Sequence, residues 1–235
     1  MKLFTTIERS KSTGKIIKEL FHDYLVVHVS AQSVTTEDYW ADQAREIGDL
    51  KIMDEDLATG NKTGKFWIDI KYDPAFPNHF IHANARQPLH TDGSYESDAP
   101  NISFFYCIQE ALVGGATTYI DINTVKECLK WENNALLERL FDEPLLFSKG
   151  NDSKRSAIFH DDKCNWNYYR TEKVELAELF HDFLERRIIN MGITNGVRLK
   201  PGEALFFRDD MILHGRNAFM GNRWLRKGGI EWTAQ

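Results

Sequence analysis

His90 and Asp92 flank Thr91 in the run PLHTDGSY, residues 88–95. In an extended segment, side chains two apart point to the same face, so one imidazole and one carboxylate are presented together. His214 stands far downstream, after the apolar run ALFF and just before Gly215, whose missing side chain leaves room for a metal and its ligands. Two imidazole nitrogens and one carboxylate oxygen make the facial triad that holds non-haem Fe(II) and leaves coordination positions open. A His-x-Asp pair alone is common and carries little. The full set requires strands distant in sequence to meet, which a closed β-roll arranges. The thiols offer no competing site. Cys107, Cys128 and Cys164 are an odd, widely spaced set without the C-x-x-C pattern of structural zinc, and they fit reduced thiols.

The elements that must position these residues follow from periodicity. Asp23–Val29, DYLVVHV, reads as a core strand, with His28 an ordinary packing residue within it. TEDYWADQAREI, residues 36–47, has an acidic start and helical spacing of Tyr39, Trp40, Ala44 and Ile47, with Gly48 as the stop. Residues 51–65 are a polar loop, and FWIDIKY, 66–72, alternates like a strand until Pro74 and Pro77 break it. Pro88 fixes an extended approach to the ligand pair. NISFFYCIQ (101–109) and ATTYID (116–121) are strands on either side of the Gly114–Gly115 turn. Asn123 is the N-cap expected for the helix TVKECLKW, and a second helix is expected over 134–141. Residues 145–148, 156–160 and 167–170 read as short strands joined by polar loops, one of them GNDSKRS with Arg155.

One long amphipathic helix is expected over 172–191, with Leu176, Leu179, Phe180, Phe183, Leu184 and Ile188 at helical spacing and Gly192 closing it. GVRLKPGEALFF gives two strands about the Pro201–Gly202 turn, Asp209–Asp210 a polar bend, and WLRKGGIEW (224–232) the last strand. Many short strands with a few helices predict a mainly β, double-sheet roll decorated by helices. No repeat, low-complexity tract or Pro/Gly-rich linker divides the chain, so residues 1–235 are expected to form a single domain.

Composition excludes several classes. A net charge of −6 with both signs interspersed is the wrong balance for a broad nucleic-acid footprint. No apolar run approaches the length of a membrane helix. The start MKLFTTIERSKSTGKIIKEL lacks a continuous apolar core of the signal-peptide type, so the chain reads as cytosolic.

At this point four motifs in order carry a resemblance. They are His90-Thr91-Asp92, Gly114-Gly115-Ala116-Thr117, His214-Gly215-Arg216 and Arg223-Trp224-Leu225-Arg226. Together they resemble the Fe(II)/2-oxoglutarate-dependent oxygenases of the taurine dioxygenase and clavaminate synthase branch, over roughly residues 86–232. LHTDGSY is also similar to the wording in glutarate and γ-butyrobetaine hydroxylases of the broader group. The resemblance implies a double-stranded β-helix (jelly-roll, cupin-like) core flanked by α-helices, with Fe(II), 2-oxoglutarate and O₂ as cofactor and cosubstrates. His90, Asp92 and His214 would bind the metal. Arg226, 226 − 214 = 12 residues past His214, would take the far carboxylate of 2-oxoglutarate, a task that suits a guanidinium because it grips a carboxylate bidentately and stays charged. Relatives often place this arginine slightly farther along, so Arg223 and Arg216 are rivals, and Arg216 could instead support its loop by pairing with Asp209 or Asp210. Thr117 would add a hydroxyl to the same cosubstrate, or simply pack in its strand. The family couples decarboxylation of 2-oxoglutarate, to succinate and CO₂, to hydroxylation of a substrate C–H bond. Related halogenases lose the carboxylate, so the presence of Asp92 favours hydroxylation, or a desaturating or ring-forming variant.

Asn84, Gln87, Tyr95, Trp166, Asn167 and Arg170 are candidates for the substrate site, each with a packing or surface alternative. Arginines and amides there would suit a small carboxylate or free amino acid. The remaining histidines His22, His79, His82, His160 and His181 have no partner pattern. Rival readings are a cupin-like roll that binds metal without O₂ chemistry, and the same chemistry on a macromolecular side chain.

Overall fold

Strand alternation sorts the apolar residues into layers. Along Ile102–Gln109, the side chains of Ile102, Phe104 and Tyr106 enter one apolar cluster, while Phe105 and Cys107 enter another. The computed structural model describes residues 1–54, 62–76 and 81–233. The larger sheet has seven strands, running Lys2–Glu8, Tyr24–Ser30, Ala204–Arg208, Ile102–Gln109, Trp224–Glu231 and Asp49–Leu50, with Ile68–Lys71 also paired to Trp224–Glu231. The smaller has four, in the order Asn195–Val197, Thr117–Asp121, Ile212–Arg216 and Gln87–His90.

Three apolar clusters fill the spaces. Between the sheets, Phe105, Leu205, Phe207 and Leu225 meet Tyr119 and Ile212. On the outer face of the large sheet, Phe104, Phe206 and Ile230 pack against Ile17, Trp40 and Ile47 from the helices Thr13–Leu20 and Glu37–Ile47. The rings of Phe104 and Phe206 stack 4.5 Å apart at 3°. On the outer face of the small sheet, Leu89, Ile120 and Leu213 are covered by the helices Ile122–Glu132, Asn134–Asp142 and Glu175–Phe183. Helix, sheet, sheet and helix are therefore the layers, a double-stranded β-helix core flanked by helices. Both faces of the central strands are buried, which is why they read as unbroken apolar runs and not as alternation.

Several local expectations are corrected. Residues Lys2–Glu8 form a strand parallel to Tyr24–Ser30, and a helix follows, where the sequence suggested no element. The strand lies at the sheet edge and is only half covered on one face, so its apolar signal is weak. Asp121, not Asn123, caps the next helix, its Oδ1 accepting from the Thr124 N–H at 2.9 Å. The GNDSKRS segment is not an open loop. It turns at Gly150 (φ 59°) into an antiparallel hairpin of Leu145–Lys149 with Asp152–Ser156. Residues 167–170 form a turn closed by the Arg170 N–H to the Asn167 carbonyl at 3.0 Å. The long helix begins only at Glu175, because the Glu172 side chain accepts from the Leu146 N–H at 2.8 Å and ties that segment to the hairpin. It continues as a π-helical stretch over Leu184–Ile189. Pro77, His79 and the middle of the polar 51–65 stretch lie outside the described residues.

Candidate metal centre and its anion-binding wall

His90 ends the strand Gln87–His90, Asp92 begins the turn after it, and His214 lies in the middle of Ile212–Arg216. The two strands are antiparallel neighbours, with His90 directly opposite His214. Gly215 permits this approach. A Cβ there would stand 2.7 Å from the Gln87 carbonyl oxygen and 3.1 Å from that of Pro88. Thr91 is locked by backbone and hydroxyl bonds to Trp166, its N–H donating to the Trp166 carbonyl at 2.6 Å and its Oγ1 accepting from the Trp166 N–H at 3.0 Å. That clamp fixes the residue between the two early donors.

The three side chains each offer one donor atom within 4.8 Å of the others. His90 Nε2 lies 3.8 Å from Asp92 Oδ1, and His214 Nε2 lies 3.5 Å from Asp92 Oδ2. Ligands held at about 2.0–2.2 Å on adjacent positions of one ion stand about 3 Å apart, so shifts of less than an ångström would close this set onto a metal. Each imidazole is turned the same way. His90 Nδ1 faces the Pro88 carbonyl at 2.9 Å and His214 Nδ1 faces Asp209 Oδ1 at 3.0 Å, which places the proton on Nδ1 and leaves Nε2 toward the shared centre. The donor set fits Fe(II) better than structural zinc, since no thiolate contributes.

The protonation states follow from burial and neighbours. Burial and the adjacent His214 lower His90 to about 3, against a smaller opposite pull from Asp92, so it presents a neutral imidazole. Burial alone would raise Asp92. The Lys227 ammonium, with His214 and His90, outweighs this and holds the carboxyl well below the usual range. Burial would lower His214, but Asp209 and Asp92 outweigh it and raise the imidazole. Lys227 Nζ stands 2.6 Å from Asp92 Oδ2, with a side chain only 10% exposed.

Strand parity distributes the arginines. In Trp224–Glu231, Leu225 pairs with Cys107 and Lys227 with Phe105, all facing the space between the sheets. Arg226 pairs with Tyr106 on the opposite face and does not reach the metal side. Its guanidinium binds Asp69 at 2.9 Å, the Tyr106 hydroxyl at 3.2 Å and Glu37 of the outer helix. The assignment of Arg226 to 2-oxoglutarate therefore meets a geometric obstacle: its partners are two carboxylates and a phenol on the helix side of the large sheet.

Arg223 and Arg216 are buried, each donating to backbone carbonyls, those of Gly115 and of Ala83 and Ala85 respectively. No carboxylate pairs with either among the described residues, and Arg216 is not engaged with Asp209 or Asp210 as the sequence suggested. Asp210 takes Arg208, and Asp209 takes His214. Both guanidiniums flank the Phe219 ring, at 5.0 and 5.7 Å. Burial lowers Arg216 to about 10, and burial with the neighbouring Arg216 lowers Arg223 to about 9. Two adjacent buried cations lacking a counter-charge form a wall that an anion would neutralise. Thr117 is buried on the inner face of its strand, directly across from Arg216. Gly115 (φ 72°) makes the turn beside it, and a Cβ there would stand 3.1 Å from Arg223 Cδ.

A cavity of about 750 Å³ opens onto His90, Asp92, Arg216 and Lys227. Of the substrate candidates, Gln87, Tyr95, Asn167 and Arg170 line it. Asn84 is exposed and does not line it, and Trp166 is fully buried against Phe180 behind the small sheet, with ring centroids 4.8 Å apart. The sequence reading missed Lys227, Asp209 and Ser103. The first was recoverable from parity with Leu225. The other two were not, since only the tertiary contact of Asp209 with His214, and of Ser103 with Asp92 and Asp209, gives them meaning.

The family model described as taurine catabolism dioxygenase TauD, TfdA family matches residues 2–228. A trimethyllysine dioxygenase from Meyerozyma guilliermondii is 25% identical over 182 residues, covering 68% of this chain and 45% of that protein, so the chain spans less than half of this relative's length. A solved asparagine oxygenase in complex with Fe(II), 3-hydroxyasparagine and succinate superposes with a TM-score of 0.74 at 14% identity, covering 93% of this chain and 78% of that one. The non-haem iron oxygenase OrfP in complex with Fe and α-ketoglutaric acid gives 0.70 at 13% identity, covering 94% and 80%. The two structures share the fold.

Proposed function

The chain belongs to the taurine catabolism dioxygenase TauD, TfdA family, and we propose that it is a dioxygenase that uses Fe(II) and 2-oxoglutarate to hydroxylate an aliphatic C–H bond of a small polar molecule, a free amino acid or short carboxylic acid. The balance is substrate, 2-oxoglutarate and O₂ in, hydroxylated substrate, succinate and CO₂ out. The observation that carries the reading is the convergence of His90, Asp92 and His214 donor atoms within 4.8 Å at a cavity that Arg216 also lines, with the buried Arg223 next to Arg216 and no carboxylate paired with either among the described residues.

In this reading the three side chains hold Fe(II) on one face, and the bound metal supplies the oxidative decarboxylation and C–H cleavage. The protein does the rest. Arg223, with Arg216 beside it and Thr117 in the adjoining strand, takes the far carboxylate of 2-oxoglutarate, replacing Arg226 in that role. Burial strengthens the contact, because the ion pair forms where water does not compete. Lys227 places a cation beside Asp92, where the acid group of a substrate can be gripped next to the metal. Gln87, Tyr95, Asn167 and Arg170 shape the approach. Amino-acid chemistry is the class named for the asparagine oxygenase and OrfP neighbours, in complexes with hydroxyasparagine and hydroxy-arginine, and for the trimethyllysine relative.

The test is a succinate-release screen over free amino acids and small carboxylates, with Fe(II) and 2-oxoglutarate supplied and products weighed by mass spectrometry. A substrate-dependent gain of 16 mass units supports hydroxylation, and a loss of 2 would move the assignment to desaturation or ring closure. Anaerobic Fe(II) plus 2-oxoglutarate should give a weak visible charge-transfer band. Soluble, metal-loaded protein without that band would sink the cosubstrate assignment and favour a metal-binding roll without O₂ chemistry.

A further inference from the structure

One carboxylate touches both halves of the metal centre. Asp209 follows the strand Ala204–Arg208 and is 2% exposed. Its Oδ2 accepts from the Ser103 hydroxyl at 2.8 Å and from the Asp92 backbone N–H at 3.2 Å, while its Oδ1 faces His214 Nδ1 at 3.0 Å. Ser103 Oγ also stands 3.1 Å from Asp92 Oδ2. Both Asp209 Oδ1 and His214 Nδ1 are fully buried and, among the described residues, neither is hydrogen-bonded elsewhere, so each faces the other as its partner. At 3.0 Å the two atoms are within hydrogen-bonding distance, and alignment of the ring completes the bond.

Ser103 is equally out of place without a role. It occupies the inner face of Ile102–Gln109, where the next inward side chains are Phe105 and Cys107, and it is 0% exposed. A buried hydroxyl in an apolar wall costs free energy unless it is hydrogen-bonded, and here its single proton has the Asp209 carboxylate at 2.8 Å as the shorter acceptor and Asp92 at 3.1 Å as the alternative.

Resting on the metal-centre reading above, we infer that Asp209 and Ser103 are the positioning residues of that centre: Asp209 fixes the tautomer and ring orientation of His214, and through Ser103 and the Asp92 backbone it sets the distance between the early and late ligands. The early pair and the late histidine come from segments more than a hundred residues apart, 214 − 92 = 122. Besides the strand pairing of His90 with His214, this carboxylate links the two segments, accepting from the Asp92 backbone N–H and facing the His214 imidazole at 3.0 Å. Asp209 makes the imidazole a stronger donor by accepting its Nδ1–H, the arrangement through which outer partners of metal-bound histidines change affinity by about 10–100-fold.

The experiment is a titration of the metal-free full chain with Co(II), following both the dissociation constant and the visible ligand-field bands, for wild type, Asp209→Asn and Ser103→Ala. Near-UV circular dichroism of the metal-free proteins reports folding separately. The expected result is a loss of about 10–100-fold in Co(II) affinity for D209N, with shifted bands, and a smaller loss for S103A with bands altered in the same sense. Wild-type affinity and spectrum in D209N would overturn the proposal and reduce Asp209 to a bend that caps backbone groups. Should D209N fail to fold, S103A carries the test, because it removes the hydroxyl bridge while leaving Asp209 in place, and an unchanged constant and spectrum would overturn the inference equally. Failure of the underlying reading looks different: wild type itself would then bind no Co(II) with histidine-ligated bands.

Discussion

Replacing Arg223 and Arg226 separately by Met tests the assignment of the cosubstrate anchor. Arg223 is 5% exposed, has no carboxylate partner among the described residues and bonds only the Gly115 carbonyl, at 3.2 Å. If 2-oxoglutarate supplies its counter-charge, the substitution leaves the far carboxylate buried beside a methyl group. Truncating one partner of a buried, hydrogen-bonded charge pair costs about 2–5 kcal/mol, or about 30-fold to a few thousand-fold in affinity. Arg226 lies on the other face, where Asp69 and Glu37 already neutralise it and its side chain is 17% exposed. Losing that pair costs up to about 1 kcal/mol of stability and leaves the 2-oxoglutarate KM within about fivefold of wild type. Two assays read the outcome: succinate release against 2-oxoglutarate concentration, and the rise in Tm on adding metal and 2-oxoglutarate. At a hundredfold excess over Kd, wild type gains about 2.7 kcal/mol, or roughly 5–10 °C for a chain of this length. R223M should keep the share of the gain that metal supplies and lose most of the share that 2-oxoglutarate supplies, about two thirds of it or more, while its ligand-free Tm stays close to wild type, because a buried charge without a carboxylate partner among the described residues has been removed. An R226M enzyme with the larger KM defect would refute the parity argument. So would an R223M enzyme with an unchanged one.

Three further outcomes follow from particular contacts. Burial pulls Arg223 and Arg216 below the usual guanidinium range, yet a guanidinium keeps its proton across the working range, so the 2-oxoglutarate KM should be unchanged from about pH 7 to about pH 9; a tenfold rise across that window would contradict an arginine anchor. Gly215→Ala puts a Cβ 2.7 Å from the Gln87 carbonyl, prying apart the strands that carry His90 and His214. It should cost about 1–3 kcal/mol in urea unfolding and weaken metal binding with it, so a stable variant with intact Co(II) affinity would be inconsistent. Trp166→Ala opens a cavity in the outer cluster and keeps the main-chain clamp on Thr91. It should lose about 3–5 kcal/mol as a folding defect, whereas wild-type stability with an altered substrate range would restore Trp166 to the pocket wall.

Much of the site was legible from residue types alone. The His90–Asp92 spacing, the late His214 and the order of the glycine and arginine motifs are local chemistry written in sequence, and so are the apolar runs of the central strands, because burial on both faces demands apolar residues at every position. The half-covered edge strand Lys2–Glu8 left almost no apolar signal. The cap at Asp121 in place of Asn123 was invisible for a different reason, because either residue type makes a good cap and only backbone geometry selects one.

What the tertiary structure alone decided is which way each side chain faces and what meets it there. Arg226 and Arg223 are equally plausible anchors by type. They part because a strand presents alternate residues to opposite faces, and the pairing of Leu225 with Cys107 fixes which face is inside. Likewise, Asp209 and Ser103 look like a bend and a strand residue until strands far apart in the chain close the roll and bring both to the ligands. Residue type sets what a side chain can do, while long-range strand pairing sets whom it meets, and that pairing is a property of the whole fold that no local stretch of sequence contains.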